Sequence, residues 1–238
     1  MSETTLDQAH QPPAFLFDLD GTLIDSVYQH VIAWKQALEE CDIELPVWKI
    51  HRRIGMSGGL FVNALLRELG HPLDPEVTRA IGDLHAKYFA EIADQVRPLP
   101  GAADLLATLT RHEVPWAIAT SGHMRSAQHG LRMLGVLDGP APIITRDLVR
   151  YAKPDPDLFL AAAEKLGVPI QRSWVVGDSI WDLLAARRAF ALSIGLRSGG
   201  YGGDELREAG AYRVYDDPAD LRRHLDEVGV RQAGAAPD

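Results

Sequence analysis

Short apolar runs alternate with helical patterns along most of the chain, and this alternation restricts the possible folds more than any other feature of the sequence. Each run is too short for a core helix, but its length suits a strand that is buried on both faces. Because strands and helices take turns, we expect an α/β fold built on a doubly wound parallel sheet. The predicted strands are residues 14–19, 115–119, 142–144, 173–176 and 191–196, and the predicted helices are residues 102–111, 125–134, 156–166 and 180–190.

Residues 26–96 interrupt this alternation, since they contain helical patterns and no convincing strand. Apolar side chains recur there at helical spacing, for example at Val27, Val31 and Trp34. The stretch begins soon after the first predicted strand and ends in the sequence Arg-Pro-Leu-Pro-Gly. We therefore predict a discontinuous core of residues 14–25 and 97–228, an inserted all-helical cap of residues 26–96, and flexible tails at residues 1–13 and 229–238.

Composition excludes several classes of protein. The formal net charge is -9, so the chain lacks the basic stripe with which a general nucleic-acid binder neutralises phosphates. No apolar run approaches the ~20 residues of a membrane span, and residues 1–13 lack the apolar centre of a secretory signal. Cys41 is the only cysteine. We expect a cytoplasmic protein, a monomer or weak dimer, that binds neither nucleic acids nor membranes.

Two acidic residues end the first predicted strand. Asp18 and Asp20 stand two positions apart, so their side chains point toward the same side. Carboxylates this close repel each other, and both stay ionised only beside a cation. Mg²⁺, a hard cation that prefers oxygen ligands, suits this arrangement. Asp18 also lies within an otherwise apolar run, where an unpaired charge is costly, and this predicts a functional site.

The sequence around these acids, FLFDLDGTLIDS, resembles the first motif of the haloacid dehalogenase superfamily in its phosphatase form. Three later features match that superfamily in the same order. Thr120 follows a predicted strand, Lys153 lies in KPDPDLF, and Asp178 and Asp182 lie in VVGDSIWD. The resemblance covers residues 14–196 and implies a Rossmann-like catalytic core with an inserted helical cap.

The same resemblance implies the chemistry of a Mg²⁺-dependent phosphohydrolase. Asp18 would be the nucleophile and would form an aspartyl-phosphate. Asp20 would protonate the leaving oxygen and then activate water. The metal would be held by Asp18, the main-chain carbonyl of Asp20, and Asp178.

Binding of the transferring phosphate is implied for a second group of residues. Thr120, Ser121 and Lys153 would hold its oxygens beside Asp18. Asp182 would support the site by orienting the lysine or a metal-bound water.

The substrate is the least constrained feature. Phosphoglycolate phosphatases share this general layout, so we expect a small phosphorylated metabolite, an acid or a sugar. Candidate residues for binding the rest of the substrate are His30, Arg52, Arg53, Met56 and His123.

A phosphomutase is the nearest alternative. Residues 18–35 closely resemble β-phosphoglucomutase, including His30, which in that family helps to position the acid/base aspartate. The anchors for a second phosphate are absent, because Ile54 and Gly58 stand where the mutase has a lysine and an arginine. Gly177 stands where it has a glutamate. We therefore favour the phosphatase.

Two further alternatives stay open at this point. A phosphonate hydrolase would need a cap lysine to form a Schiff base, and Lys35 and Lys49 are present without a matching motif. A non-catalytic regulator on the same fold would usually have lost one of the acidic positions, and all of them are intact.

Overall fold

A six-stranded sheet forms the centre of the protein in the computed structural model, which describes residues 12–70 and 74–230. Its strands all run parallel, in the order β5-β4-β1-β6-β7-β8. The strands of this sheet are β1 Ala14–Phe17, β4 Trp116–Ala119, β5 Ile143–Ile144, β6 Ser173–Gly177, β7 Leu192–Leu196 and β8 Arg213–Tyr215, while β2 Ile24–Asp25 and β3 Arg97–Pro98 pair separately.

Helices cover both faces of this sheet. The α-helices are α1 Val27–Glu39, α2 Val47–His51, α3 Gly58–Glu68, α4 Pro75–Ile92, α5 Ala102–Arg111, α6 Met124–Met133, α7 Asp157–Leu166, α8 Ile180–Arg188, α9 Gly203–Ala209 and α10 Pro218–Arg223. Alternate residues of β1 serve opposite faces: Phe15 and Phe17 pack with α5 and α6, whereas Leu16 packs with α7 and α8. The predicted doubly wound parallel sheet is therefore confirmed.

The cap helices, α1 to α4, have an apolar cluster of their own. Trp34, Phe61, Leu65 and Ile81 are buried in this cluster, and each such side chain contributes about 1.5–3 kcal/mol when it leaves water. The chain enters and leaves the cap helices through β2 and β3, which pair antiparallel, with Ile24 opposite Pro98 and Asp25 opposite Arg97.

The first strand ends two residues earlier than predicted. The carbonyl of Leu19 accepts bonds from the N–H groups of Thr22, Leu23 and Ile24, which curls the chain into a tight turn. Gly21 adopts a φ of 83° in this turn, a conformation that glycine adopts without a steric penalty. Asp18 and Asp20 therefore stand at the carboxyl edge of the sheet rather than within β1.

Parts of the predicted tails, residues 1–11 and 231–238, lie outside the described residues. Among the described residues, no helix combines the length and the apolar character needed to cross a membrane.

Candidate active site

Asp18 and Lys153 form a buried ion pair at the carboxyl edge of the sheet. Lys153 Nζ contacts Asp18 Oδ1 and lies 2.8 Å from Asp182 Oδ1. The lysine side chain is fully buried. Burial by itself would lower the pKa of Lys153, but the charges of Asp18 and Asp182 outweigh it and raise that pKa above its ordinary value. The lysine is therefore a fixed cation beside Asp18.

Asp18 itself is held in an environment that disfavours its charge. Burial, reinforced by the charges of Asp182 and Asp20, raises the pKa of Asp18 to about 7, although Lys153 opposes this shift. A further cation near Asp18 would offset the cost of keeping its carboxylate ionised.

Asp178 completes a cluster of buried carboxylates. Oxygens of Asp18, Asp178 and Asp182 lie within 4.8 Å of one another. Burial and the charges of Asp182 and Asp18 raise the pKa of Asp178 well above its ordinary value. Such an all-oxygen donor set fits a hard divalent cation such as Mg²⁺.

The three carboxylates are not equally available. Asp182 Oδ2 accepts bonds from the main-chain N–H and the hydroxyl of Ser179, at 3.1 and 2.6 Å, and Oδ1 faces Lys153. Asp178 Oδ1 accepts a 3.0 Å bond from the Thr22 hydroxyl, which leaves Oδ2 for a cation. Both oxygens of Asp182 are therefore engaged within the protein, one with Lys153 and one with Ser179.

Asp178 and Asp182 stand four positions apart, a spacing that predicts that both lie on one face of a helix, and this prediction is wrong. Helix α8 begins at Ile180 with Ser179 as its N-cap, so Asp178 lies before the helix. The two carboxylates meet because the Asp182 side chain reaches back to the start of the helix, where its Oδ2 accepts bonds from Ser179.

Glycines allow the main chain to lie close against these carboxylates. A Cβ atom on Gly199 would lie 1.7 Å from Asp178 Oδ2, and one on Gly21 would lie 2.5 Å from the same atom. A Cβ on Gly177 would lie 2.3 Å from Asp182 Cβ. A side chain at any of these positions would displace a carboxylate.

Asp20 is positioned by hydrogen bonds from the cap side. Ser26 Oγ donates to Asp20 Oδ1 at 2.6 Å, and His30 Nε2 lies 3.3 Å from the same oxygen. Burial would raise the pKa of Asp20, but the charge and hydrogen bond of His30 and the bond from Ser26 hold it below its ordinary value. Asp20 thus rests as a carboxylate, the form that accepts a proton.

His85 adds a further contact to the hydrogen-bonded series of Asp20 and His30, and the sequence analysis did not identify it. Its Nε2 lies 3.1 Å from His30 Nδ1, and its ring stacks on Trp34 at 4.0 Å. Burial, followed by the charge of His30, lowers the pKa of His85 well below its ordinary value. Its position four residues after Ile81 and four before Phe89, both buried, is a signal that could have revealed it.

Thr120 and Ser121 follow β4 at the same edge of the sheet. The Thr120 hydroxyl accepts a 3.0 Å bond from the Gly122 N–H. Ser121 Oγ is buried and has no hydrogen-bond partner among the described residues, so it is free to donate to a bound oxyanion.

A cavity of about 500 Å³ lies between the cap helices and the sheet edge. Of the residues predicted to bind the substrate, His30, Arg53, Met56 and His123 line it together with Asp18, Asp20, Thr120 and Ser121.

Arg52 is the candidate that does not line this cavity. Its Nη2 lies 2.5 Å from Glu205 Oε1, and its guanidinium lies 4.2 Å from the centroid of the Tyr201 ring. Its carbonyl accepts bonds from Trp181 Nε1 and the Tyr201 hydroxyl. Arg52 therefore joins the cap helices to the core, while its neighbour Arg53 faces the cavity.

Comparison with known proteins points in one direction. A family model of haloacid dehalogenase-like hydrolases matches residues 12–189. A phosphoglycolate phosphatase from Agrobacterium fabrum is 32% identical over 94% of this chain and 97% of its own length. An N-acetylmuramic acid 6-phosphate phosphatase from Pseudomonas aeruginosa is 30% identical over 90% of this chain and 95% of its own.

A solved structure gives the same indication. The crystal structure of a hydrolase from Pseudomonas syringae is 51% identical and superposes with a TM-score of 0.88, covering 91% of this chain and 99% of that one.

Proposed function

Because the chain belongs to the haloacid dehalogenase-like hydrolase family and is a hydrolase of phosphoric monoesters, we propose that it dephosphorylates a small phosphorylated metabolite in a Mg²⁺-dependent reaction with Asp18 as nucleophile. Cytoplasmic location and a monomeric or weakly dimeric state stay predictions. So does the division into a core of residues 14–25 and 97–228 and a cap of residues 26–96.

The observation that carries the proposal is the buried pairing of Asp18 with Lys153 beside the carboxylate of Asp178. A nucleophilic carboxylate must lie next to groups that neutralise a phosphoryl anion, and it must be shielded from bulk water. A purely structural ion pair would need neither the third carboxylate nor a cavity above it.

Asp18, Asp178 and the main-chain carbonyl of Asp20 would hold Mg²⁺. When bound, the ion neutralises charge on the phosphate and offsets the repulsion between the carboxylates. Support for the ion comes from the raised pKa of Asp178 and from the cluster of carboxylate oxygens that Asp178 forms with Asp18 and Asp182.

Hydrolysis then proceeds in two steps on this chain's own residues. In the first, a carboxylate oxygen of Asp18 attacks phosphorus and the bond to the leaving oxygen breaks. Asp20, which rests as a carboxylate and takes up the proton of the monoanionic ester as it binds, passes that proton to the leaving oxygen. In the second, ionised Asp20 takes a proton from water, which attacks the phosphorus of the aspartyl-phosphate and regenerates Asp18. Thr120, Ser121 and Lys153 hold the phosphoryl oxygens through both steps.

A panel of phosphorylated metabolites, assayed by release of inorganic phosphate, tests this function. We expect phosphate to appear in a 1:1 ratio with the alcohol product, with p-nitrophenyl phosphate as a generic substrate. Phosphate transfer within a sugar, detected by ³¹P NMR and dependent on a bisphosphate primer, would favour the phosphomutase instead. No turnover of any ester would favour the non-catalytic regulator.

The cap lysines give no support to a phosphonate hydrolase. Lys35 pairs with Glu39, and Lys49 Nζ lies 2.7 Å from Glu68 Oε1. Neither of these two lysines lines the cavity. A Schiff-base lysine would have to face the substrate, so we set this alternative aside.

The two adjacent arginines supply a matched test of how the cap helices select the substrate. Arg53→Ala is expected to lower kcat/KM on the best metabolite by about 5- to 150-fold, because a charge-assisted bond worth roughly 1–3 kcal/mol is lost. The loss on p-nitrophenyl phosphate should be several-fold smaller. Steady-state kinetics on both substrates gives the ratio.

Arg52→Ala is the control for that experiment. It removes the same charge from the neighbouring position but breaks the contact with Glu205 and Tyr201. We expect Arg52→Ala to change kcat/KM by the same factor on both substrates. An equal factor for Arg53→Ala would mean that Arg53 does not contact the substrate.

A further inference from the structure

The cavity carries more positive charge than removal of one phosphate requires. Its volume of about 500 Å³ falls in the usual range for small-molecule sites. Arginines at positions 53, 79, 125 and 146 line it. Apart from the catalytic acids, Asp83 is the acidic residue among its described lining residues. Such a wall favours a ligand with a second anionic group.

Arg146 differs from the other arginines in this wall. Arg53 contacts Glu68, Arg125 lies 3.3 Å from Asp83, and Arg79 is exposed. Arg146 is half-buried, and its Nη1 donates a 2.6 Å bond to the carbonyl of Val149. No carboxylate pairs with it in the part of the chain that the structure describes. The remaining N–H groups of its planar fork suit a carboxylate.

The main chain fixes Arg146 relative to the phosphate loop, residues 120–122. Arg146 follows β5, and its N–H donates a 3.0 Å bond to the carbonyl of Gly122. Asp147 strengthens the connection, because its carboxylate accepts bonds from the Met124 N–H at 2.8 Å and the Thr145 hydroxyl at 3.2 Å. The position of Arg146 is thus fixed relative to residues 120–122, and its guanidinium is held by the carbonyl of Val149.

We propose that Arg146 binds a carboxylate of the substrate, and therefore that the substrate is a phosphorylated carboxylic acid. The inference rests on the proposed phosphatase function and adds the substrate class. It also makes Arg146 a specificity-determining residue supplied by the core rather than by the cap helices.

Two matched pairs of esters test it. Phosphoglycolate and ethyl phosphate differ by one carboxylate at small size, and N-acetylmuramic acid 6-phosphate and N-acetylglucosamine 6-phosphate differ by a lactyl carboxylate at sugar size. We expect the wild-type enzyme with Mg²⁺ to have the higher kcat/KM on the acid in at least one pair. Arg146→Gln should reduce that acid preference about 10- to 100-fold, the effect of losing a hydrogen-bonded charge.

Arg146→Lys and Arg150→Gln are the companion variants. Lysine keeps the charge without the fork, so the acid preference should fall by an intermediate factor, and this variant covers the case in which Arg146→Gln folds poorly. Arg150 is exposed, beside Tyr151, and its loss should leave the preference unchanged.

Equal losses on both members of each pair would overturn the proposal, because Arg146 would then serve the phosphate. Absence of an acid preference in the wild type would overturn it as well. If the wild type releases phosphate from none of the esters, the proposed function fails separately. Calorimetric binding of the same pairs to the Mg²⁺-loaded protein then decides: tighter binding of the acid that Arg146→Gln abolishes supports the carboxylate site, and equal binding rejects it.

Discussion

Asp18→Asn is expected to lower kcat by at least ~10³-fold, which corresponds to about 4 kcal/mol of activation free energy. The amide has nearly the shape of the carboxylate but is a poor nucleophile, and it removes one charged oxygen from the predicted metal site. Lys153 keeps its contact with Asp182 at 2.8 Å, so the buried cation does not lose every partner. Single-turnover and steady-state phosphate release measure the loss.

Asp204→Asn is a matched control, because the Asp204 side chain is 95% exposed. It should keep wild-type activity, and thermal unfolding should confirm that both variants are folded. Activity of Asp18→Asn within tenfold of the wild type would show that Asp18 is not the nucleophile.

Chelation of the metal is expected to abolish activity, and Mg²⁺ is expected to restore it. Ca²⁺ should inhibit, because it takes more ligands at longer distances. A second readout does not depend on turnover. Asp18 and Asp178 repel each other when no cation is bound, so Mg²⁺ at 100 times its Kd should raise the free energy of unfolding by about 2.7 kcal/mol. The Tm should rise accordingly.

Asp178→Asn should weaken the dependence of Tm on Mg²⁺, whereas Asp216→Asn, at an exposed position, should leave it intact. Full activity after exhaustive chelation would contradict the metal requirement. If Mg²⁺ does not change the Tm of the wild type, the proposed Mg²⁺ site at Asp18 and Asp178 would be contradicted.

Much of the fold could be predicted because the central strands are buried on both faces and therefore read as apolar runs. Strand β8 could not, since Arg213 is exposed and the strand lies at the sheet edge, where one side lacks a neighbour. Short edge strands leave little pattern. Helices α9 and α10, which flank β8, were not predicted because they are also short, with 7 and 6 residues.

The cluster of Asp18, Lys153 and Asp178 could be anticipated from motifs, because each residue lies in a short local pattern of its own. The sequence could not show that Arg53 faces the cavity while Arg52 faces Glu205 and Tyr201. Which partner each of two adjacent arginines meets depends on how the cap helices pack. His85 and Arg146 lie far in sequence from the residues they adjoin, His30 and Gly122. Their roles depend on tertiary contacts that spacing does not encode.

The pairing of β2 with β3 has a consequence for how such a protein can diversify. Asp25 and Arg97 lie opposite each other in antiparallel strands, and such strands can be joined by a two-residue hairpin. The Leu99 N–H also bonds the Leu23 carbonyl at 2.9 Å, so the route of the core chain is closed at this point with or without the helices. The segment between them is topologically a cassette. During evolution this segment could be shortened, lengthened or exchanged, which would change the range of substrates. The order and direction of the strands in the sheet that carries Asp18 would stay the same.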